Sequence, residues 1–550
     1  MTVKTIVFAQ RRPIRLAHCF PPLHTAGHHH QHSGTTAITA ITTISTATMS
    51  ASSVHSAASA AAAAAAPAAP QRMANASVLL MRGHSHPFTA ELSGESLSAH
   101  FRHAYKVLNA NRALCIALRV VDDNKGGLTV PDYALRDVFM LLRLHEWLRT
   151  DPRAPARLQV ALLDEDHLKP WFRSTADDAQ GRANLLFGHD NPAPQWHDLA
   201  VRRPGSASRS AASSSAGSAS AASAHPSPVL QYRHCSSLAD ALQGDPLRVL
   251  FLPNLMWYSP CAGQSELEDR LRDLLRAVGQ AQPPHATVHV YPPREWDERL
   301  ENKDDVYHKF SFVMLPTVWL AVALSGQAES RLLEFTTTAT WLVHQRAPGR
   351  YVLKASYSDS GRAVRTDINV VVNASGERLV PDRLLETMIE YNEKYNHIKF
   401  GLQPFVDDFP TNEFRHWYMA LPDVNGARTF RLVAAVRSKF TGSPVQRLSG
   451  VTSSPLDTAS IACYDLAQRI MTGAGAHDQQ FIELRDDLLE MGCYALRVDC
   501  GYDSANNRAF LNELTAPADA AIFTHAHETE LVWKLGEMLA EGVMELLRKQ

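Results

Sequence analysis

The feature that most constrains the fold lies near the C-terminus. Ala495-Leu496-Arg497-Val498-Asp499-Cys500-Gly501-Tyr502 and Arg508-Ala509-Phe510-Leu511-Asn512-Glu513-Leu514-Thr515 are two strand-like runs. The polar segment Asp503 to Asn507 that joins them has the composition of a turn. Side chains alternate faces along a strand. Arg497 and Asp499 then share one face, and Glu513 and Thr515 share one face of the returning strand. A turn near Asn506 sets Asp499 almost opposite Glu513. Facing carboxylates repel unless a cation lies between them. A magnesium ion carrying a nucleotide's phosphates answers that need, because it binds through one or two carboxylates plus phosphate oxygens.

The 550-residue chain has room for about three or four domains at ~150 residues each. An apolar share of 45% suits sizeable cores. With 54 basic against 56 acidic residues, the net charge of -2 argues against a broad surface for nucleic acid or anionic membrane. No apolar run approaches the ~18 residues of a membrane span. Small molecules are therefore the expected partners, with neither nucleic acid nor membrane, and a homo-oligomer is left open. The seven cysteines are scattered, odd in number and free of CxxC pairs, which argues against a disulfide framework or structural zinc site. A reducing, cytoplasmic setting follows.

The N-terminal stretch differs in composition. No acidic residue precedes Glu91, whereas Arg11, Arg12, Arg15, long Ser/Thr/Ala tracts and the alanine run Ala60 to Ala66 do. Residues 1–77 are expected to be a disordered tail or a targeting segment, the latter directing the chain to a mitochondrion or plastid. The cluster His28, His29, His30 and His32 has no expected role within such a tail.

Residues 78–300 read as an α/β domain. Strand candidates are Ala113 to Val121, Leu158 to Leu163, Arg248 to Pro253 and Thr287 to Tyr291. Helical spacing runs from Pro131 to Trp147 and from Glu266 to Val278. Alternating strand and helix implies a largely parallel sheet. Arg203 to Pro228 is almost all Ser, Ala, Gly and Pro and is expected to be a disordered insertion within that domain. Residues 301–550 mix strands (Tyr351 to Ala355, Asp367 to Val372, Gly401 to Val406, Phe414 to Ala420, Phe430 to Val436 and the terminal hairpin) with helices. The helices are Arg383 to Lys394, Thr458 to Met471, Gln480 to Met491 and Glu528 to Leu547. That mixture implies an α+β module.

Four further pieces precede the hairpin. Asn302-Lys303-Asp304 comes before Leu315-Pro316-Thr317. Tyr351 to Lys354 is a strand ending in lysine, followed by Ala355 and the short loop Ser356 to Arg362. Backbone N–H groups of such a loop can cradle phosphates beside a fixed lysine charge. Gln403-Pro404-Phe405-Val406 is an extended apolar segment suited to a base edge, and Glu413 follows as a carboxylate able to accept ribose hydroxyls. The fourth piece is Arg431 to Lys439, a strand delivering Arg437 and Lys439 at one end.

In this order the pieces resemble the ATP-grasp superfamily, from about Glu301 to Gln550. The resemblance implies an ATP-grasp-like C-terminal module preceded by an α/β, pre-ATP-grasp-like domain. It implies Lys303 and Lys354 as nucleotide lysines, with Lys309 a rival to the first. Gln403, Phe405 and Val406 correspond to the adenine hinge, and Glu413 to the ribose acid. Asp499 and Glu513 correspond to the magnesium ligands. Thr515 stands where the family usually has Asn, and its hydroxyl can still meet the metal or a phosphate. Asn512 would face away in a regular strand. The phosphate loop is short of glycine and carries Asp359.

The activity so implied is an ATP- and Mg2+-dependent ligase joining a carboxylate substrate to an amine through an acylphosphate. Arg497 and Arg437 would stabilise the charge that develops. A small-molecule or polyol-phosphate kinase on the same fold, and a non-catalytic nucleotide-binding or scaffold protein, stand as alternatives. The surface-pair readings of Arg497 with Asp499, and of Glu413 with Arg415, compete with the ligand roles. Removing residues 1–73 is expected to leave the thermal unfolding midpoint nearly unaltered, and a large drop on melting the truncated chain would contradict this.

Overall fold

The structure is a computed structural model. It describes residues 71–82, 89–96, 98–122, 126–168, 195–201, 227–252, 264–283, 287–293, 302–325, 330–356, 364–395, 399–422, 427–439, 446–450, 457–473, 479–515 and 529–549, with positions 171, 295, 300 and 327 between them. The chain divides into two units, residues 1–68 and 69–550, and the first lies outside the described residues. So do 202–226, most of the expected Ser-rich insertion, and 357–363, most of the expected phosphate loop.

The first half contains, in order, β1 (Ala76–Arg82), β2 (Thr89–Leu92), α1 (Ala99–Ala110), α2 (Arg112–Ala117), β3 (Val121–Asp122), β4 (Leu128–Pro131), α3 (Asp132–Thr150) and β5 (Arg157–Asp164). It continues with β6 (His197–Asp198), β7 (Val229–Cys235), α4 (Leu238–Ala241), β8 (Leu247–Phe251), α5 (Gln264–Gln280) and β9 (His289–Tyr291). Six strands form one sheet in the order β6-β7-β5-β1-β8-β9, parallel except at the β6 edge. Val78, Leu80 and Val160 pack on one face with Val138 and Phe139 of α3. Leu79, Met81 and Leu250 pack on the other with Leu271 and Leu274 of α5. Burial on both faces explains why these strands read as unbroken apolar runs.

Two sequence expectations are corrected here. Ala113 to Val121 is not a buried strand. Its first part is α2, which turns Leu114, Cys115 and Ala117 inward and leaves Ile116 exposed. A short apolar run fits a strand and a one-sided helix equally well, and packing chose the helix. The expected tail also ends earlier than 77. Arg72 and Met73 donate hydrogen bonds to Ala154 and Arg153 carbonyls, and β1 begins at Ala76.

The second half continues with α6 (Lys303–Phe310), β10 (Val318–Ala321), α7 (Arg331–His344), β11 (Gly349–Ala355), β12 (Val364–Val372), β13 (Arg378–Leu379), α8 (Asp382–Tyr395) and β14 (Lys399–Pro404). Then come β15 (Glu413–Pro422), β16 (Arg428–Lys439), β17 (Gln446–Gly450), α9 (Thr458–Thr472), α10 (Gln479–Glu490), β18 (Ala495–Asp503), β19 (Arg508–Thr515) and α11 (Thr529–Arg548). One antiparallel sheet, β10-β14-β11-β12-β13, is backed by α7 and α8 through Phe335, Leu342, Leu384 and Met388. A second, β17-β16-β15-β18-β19, is backed by α9 through Cys463, Ala467 and Ile470. The Asp457 side chain caps the start of α9 by accepting from the Ser460 N–H, and Gly473 ends it in the left-handed region at φ 64.

The last helix, α11, returns to pack along α3 and on β8 and β9 of the first sheet. One apolar core therefore runs from Val78 through Phe139 and Leu539 to Val498. The contact with α3 is close at Gly536, where an added Cβ would lie 2.7 Å from the Arg136 carbonyl oxygen and from Phe139 Cβ. Neither neighbour is a flexible side-chain tip. Gly536→Leu should therefore lower stability by about 1–3 kcal/mol through overpacking. A denaturant midpoint equal to that of the native chain would contradict this contact.

Candidate functional site

The C-terminal hairpin pairs Asp499 opposite Glu513 and Arg497 opposite Thr515, in the expected register. A bulge follows. Cys500 stands opposite Leu511, so Asn512 is one residue more than its partner strand supplies. This overturns the expectation that Asn512 faces away. The bulge turns its amide into the site with Glu513, where it accepts from Lys354 Nζ at 3.0 Å and donates to Glu413 Oε1 at 3.3 Å.

β15 pairs with β18, so Arg415 stands opposite Asp499 and Glu413 opposite Gly501. Glu413, Arg415, Arg497, Asp499 and Glu513 thus share the face turned away from α9. The Arg497 guanidinium grips Asp499 with two hydrogen bonds of 2.8 and 2.9 Å and donates a third to Thr515 Oγ1 at 3.0 Å. Arg415 donates twice to Glu413 Oε2, at 3.3 and 3.0 Å, and lies 3.8 Å from Asp499 Oδ2. The pairings between charged neighbours read in the sequence are therefore real, and they are buried. The Asp499 and Glu413 side chains are only 1% and 4% exposed.

The two expected lysines arrive from separate elements. Lys303 opens α6, and its Nζ meets Glu513 Oε1 at 2.8 Å. Its rival Lys309 lies exposed in the last turn of the same helix. A short chain of bonds fixes Lys303: its N–H donates to the Ser356 carbonyl at 2.9 Å, and the Ser356 N–H donates to the Lys399 carbonyl at 3.0 Å. The buried Asp304 carboxylate pairs with the Lys399 ammonium across the same junction. Lys354, near the end of β11, reaches the site from the β10-β14-β11-β12-β13 sheet.

Four cations (Lys303, Lys354, Arg415, Arg497) thus meet three carboxylates (Glu413, Asp499, Glu513), leaving one positive charge in excess when all are ionised. Burial pulls the Lys354 ammonium down from 10.5 to about 8, with Lys303 adding to the fall and Glu513 and Glu413 opposing it. Burial likewise pushes Glu413 up, against the pull of Arg415. Burial acts to raise Glu513 too, but Lys303 and Arg497 outweigh it and hold this carboxyl below its ordinary range.

Arg437 does not join the cluster. It stands opposite Phe414, one residue out of phase with Glu413 and Arg415, so strand alternation sends it to the face covered by α9. There it donates to the Thr411 carbonyl at 2.7 Å, to Asp457 Oδ2 at 2.8 Å and to the Asn412 amide oxygen. The expected hinge is also largely committed to protein partners. Gln403 donates to Thr317 Oγ1 at 3.1 Å. The Phe405 N–H is taken by the Arg350 carbonyl at 3.0 Å, and the Arg350 guanidinium lies 3.8 Å over the Phe405 ring. Val406 packs with Leu315 and Phe510.

A divalent ion is tested by the donors on offer. Among the described residues no group of three His, Cys, Asp or Glu side chains could hold a metal unaided. Asp499 has both oxygens in the Arg497 fork and no exposed surface. Glu513 is different: its side chain is 26% exposed and one oxygen bonds to Lys303. Beside it stands the partly exposed residue Asn512, whose amide oxygen accepts from Lys354 Nζ. Hard oxygen donors this few in number fit Mg2+, which keeps waters and phosphate oxygens for its other positions. They fit it at Glu513 rather than at Asp499.

No family model matches the sequence, and no curated protein does. Solved structures do. D-cycloserine synthetase DcsG is similar at 13% identity over 51% of this chain and 80% of its own, with a TM-score of 0.29. The ATP-grasp ligase PsnB, solved with a minimal precursor, is similar at 13% identity over 55% of this chain and 81% of its own, with a TM-score of 0.29. The D-alanine–D-alanine ligase from Helicobacter pylori is similar at 13% identity over 48% of this chain, with a TM-score of 0.26, and 65% of its own length is covered. Each of these likenesses covers about half of this chain, at 13% identity and a TM-score below 0.3.

The lowered Lys354 value has a testable sign. Below about pH 8 the amine is charged in both the folded and the unfolded chain. Between about 8 and 10.5 the unfolded chain holds a proton that the folded one has released, so stability rises with pH. The difference corresponds to roughly 3 kcal/mol. Denaturant unfolding at a series of pH values should show the native chain gaining on Lys354→Met across that window. A flat difference would mean that Lys354 is not buried beside Lys303.

Proposed function

We propose that the chain is an ATP- and Mg2+-dependent ligase that joins a carboxylate substrate to an amine. The observation that carries this reading is the convergence of Lys303 and Lys354, from two separate elements, on the bulged strand bearing Asn512 and Glu513. Converging lysines beside an exposed carboxylate and a fixed arginine pair make a receptacle for a polyphosphate and its metal. A lone surface ion pair would need none of these neighbours.

In this reading Lys303 and Lys354 hold phosphate oxygens, and Glu513 with Asn512 holds Mg2+. When bound, the ion would neutralise charge on the transferring phosphoryl group. Asp499 keeps the Arg497 guanidinium charged and aimed, and Thr515 holds it from the next strand. The buried Arg497 would add positive charge beside the site as the substrate carboxylate oxygen forms its bond to the γ-phosphorus and the bond to ADP breaks. The amine nitrogen next attacks the acyl carbon, phosphate departs with the bonding pair, and the amine proton passes to solvent. The cationic excess of the cluster favours both anionic steps over the resting state.

A second reading, a nucleotide-binding protein without turnover, is favoured by one feature: Asp499 is locked by Arg497 and has no exposed surface. Turnover separates the two. With ATP, Mg2+ and mixed acids and amines, a ligase releases ADP and phosphate only when both substrate classes are present. Glu513→Gln should cut that release by about a hundredfold or more while keeping the melting profile. Undiminished release in the variant would remove Glu513 from the reaction, and binding of ATP without any release would favour the second reading.

A further inference from the structure

On the face of the β10-β14-β11-β12-β13 sheet opposite its apolar core, β10, β14 and β11 bring Trp319, Gly401 and Lys354 into one cross-strand row. The indole lies flat across Gly401. A Cβ added there would sit 2.7–2.8 Å from three of its ring carbons, Cδ2, Cε2 and Cε3. Only glycine lets the ring lie down against the strand, since any larger residue would lift it. The result is an aromatic surface one strand away from the lysine that meets Asn512. Trp319 is partly exposed although it lies in a sheet whose apolar core is on the other face. Its Nε1–H is buried and finds no hydrogen-bond partner among the described residues.

We infer that Trp319, laid down by Gly401, is the platform on which the nucleoside part of the ligand stacks, and that it sets the preference for a nucleotide over a bare polyphosphate. This inference rests on the nucleotide reading of the cation cluster and adds a residue that neither the motif order nor the charges indicated. The geometry assigns the parts of the ligand. Lys354 and Lys303 hold the phosphates, and a flat ring displaced across one intervening strand meets the base or ribose. Every purine and pyrimidine has a π-face, so the platform supplies affinity for a nucleoside with little preference among bases.

The test compares two probes on the full chain by titration calorimetry: Mg2+ with ATP, and Mg2+ with inorganic tripolyphosphate, which carries the charge without the nucleoside. Trp319→Leu should weaken ATP binding about tenfold or more and leave tripolyphosphate within about twofold. Trp319→Phe, which keeps a ring, should stay within about threefold of the native chain for both. Gly401→Ala, which lifts the indole, should reproduce the leucine variant without touching Trp319, and so serves if Trp319→Leu does not fold. Equal loss of both probes in Trp319→Leu and Gly401→Ala would show a merely structural residue and overturn the inference. Native-like ATP binding in both variants would overturn it as well. A native chain that binds tripolyphosphate as tightly as ATP removes the platform and leaves the cation cluster standing. A native chain that binds neither removes both.

Discussion

The structure of the second half depends on how three neighbouring carboxylates, Asp499 and Glu413 buried and Glu513 partly exposed, are tolerated on adjacent strands. Asp499, Glu513 and Glu413 meet on adjacent strands of one antiparallel sheet. An unpaired carboxylate in such a place would lose its charge or unfold the sheet. Each has instead been given a cation: Arg497 on the same strand as Asp499, Arg415 on the same strand as Glu413, and Lys303 brought to Glu513 by a separate helix. The first two pairs follow from strand alternation alone, since residues two apart share a face. The third is a tertiary contact, and it makes the position of α6 part of the electrostatics of the sheet.

From that third contact much of the surrounding architecture follows. The first turn of α6 is tied to the ends of β11 and β14 through Ser356 and Lys399. Those strands carry Lys354 to the same place, and Lys354 in turn needs an acceptor there. The acceptor is Asn512, available only because the hairpin is bulged by one residue. The two sheets of the second half are thus joined at a charged seam with a slight excess of positive charge. Behind the seam, α9 closes the β17-β16-β15-β18-β19 sheet, and α11 runs back to the first sheet, where Gly536 lets it lie close to α3. The region that offers the candidate chemistry therefore shares a core with the N-terminal layer.

Much of this was legible in the sequence because it rests on short-range periodicity. The hairpin register, the sharing of a face by Arg497 and Asp499, the strands from Tyr351 and Phe414, and the helices beginning near Thr458 and Gln480 all follow from alternation or helical spacing within one segment. What escaped was set by single-residue phase shifts or by tertiary packing. Strand alternation alone puts Asn512 on the wrong face, because a bulge adds one residue and no residue type announces it in advance. The place of Arg437 at a strand end points toward the site, yet its phase against Phe414 puts it behind the sheet. Arg415 was visible as a partner of Glu413, but its closeness to Asp499 depends on which strand lies next to β15. Ala113 to Val121 misled because a short apolar run carries too few residues to separate two periods. Trp319 gave no signal at all, since its role appears only when β10, β14 and β11 are laid side by side.

In the proposed reading a divalent ion and a polyphosphate share the seam between Glu513 and the two lysines. The most direct measurement is a crystal structure of the full chain with Mn2+ and a non-hydrolysable ATP analogue, using the anomalous signal of manganese. The expected result is a peak within coordinating distance of Glu513 and Asn512, with phosphate density between the Lys303 and Lys354 ammonium groups. A peak at any other place, or phosphates that touch neither lysine, would contradict it.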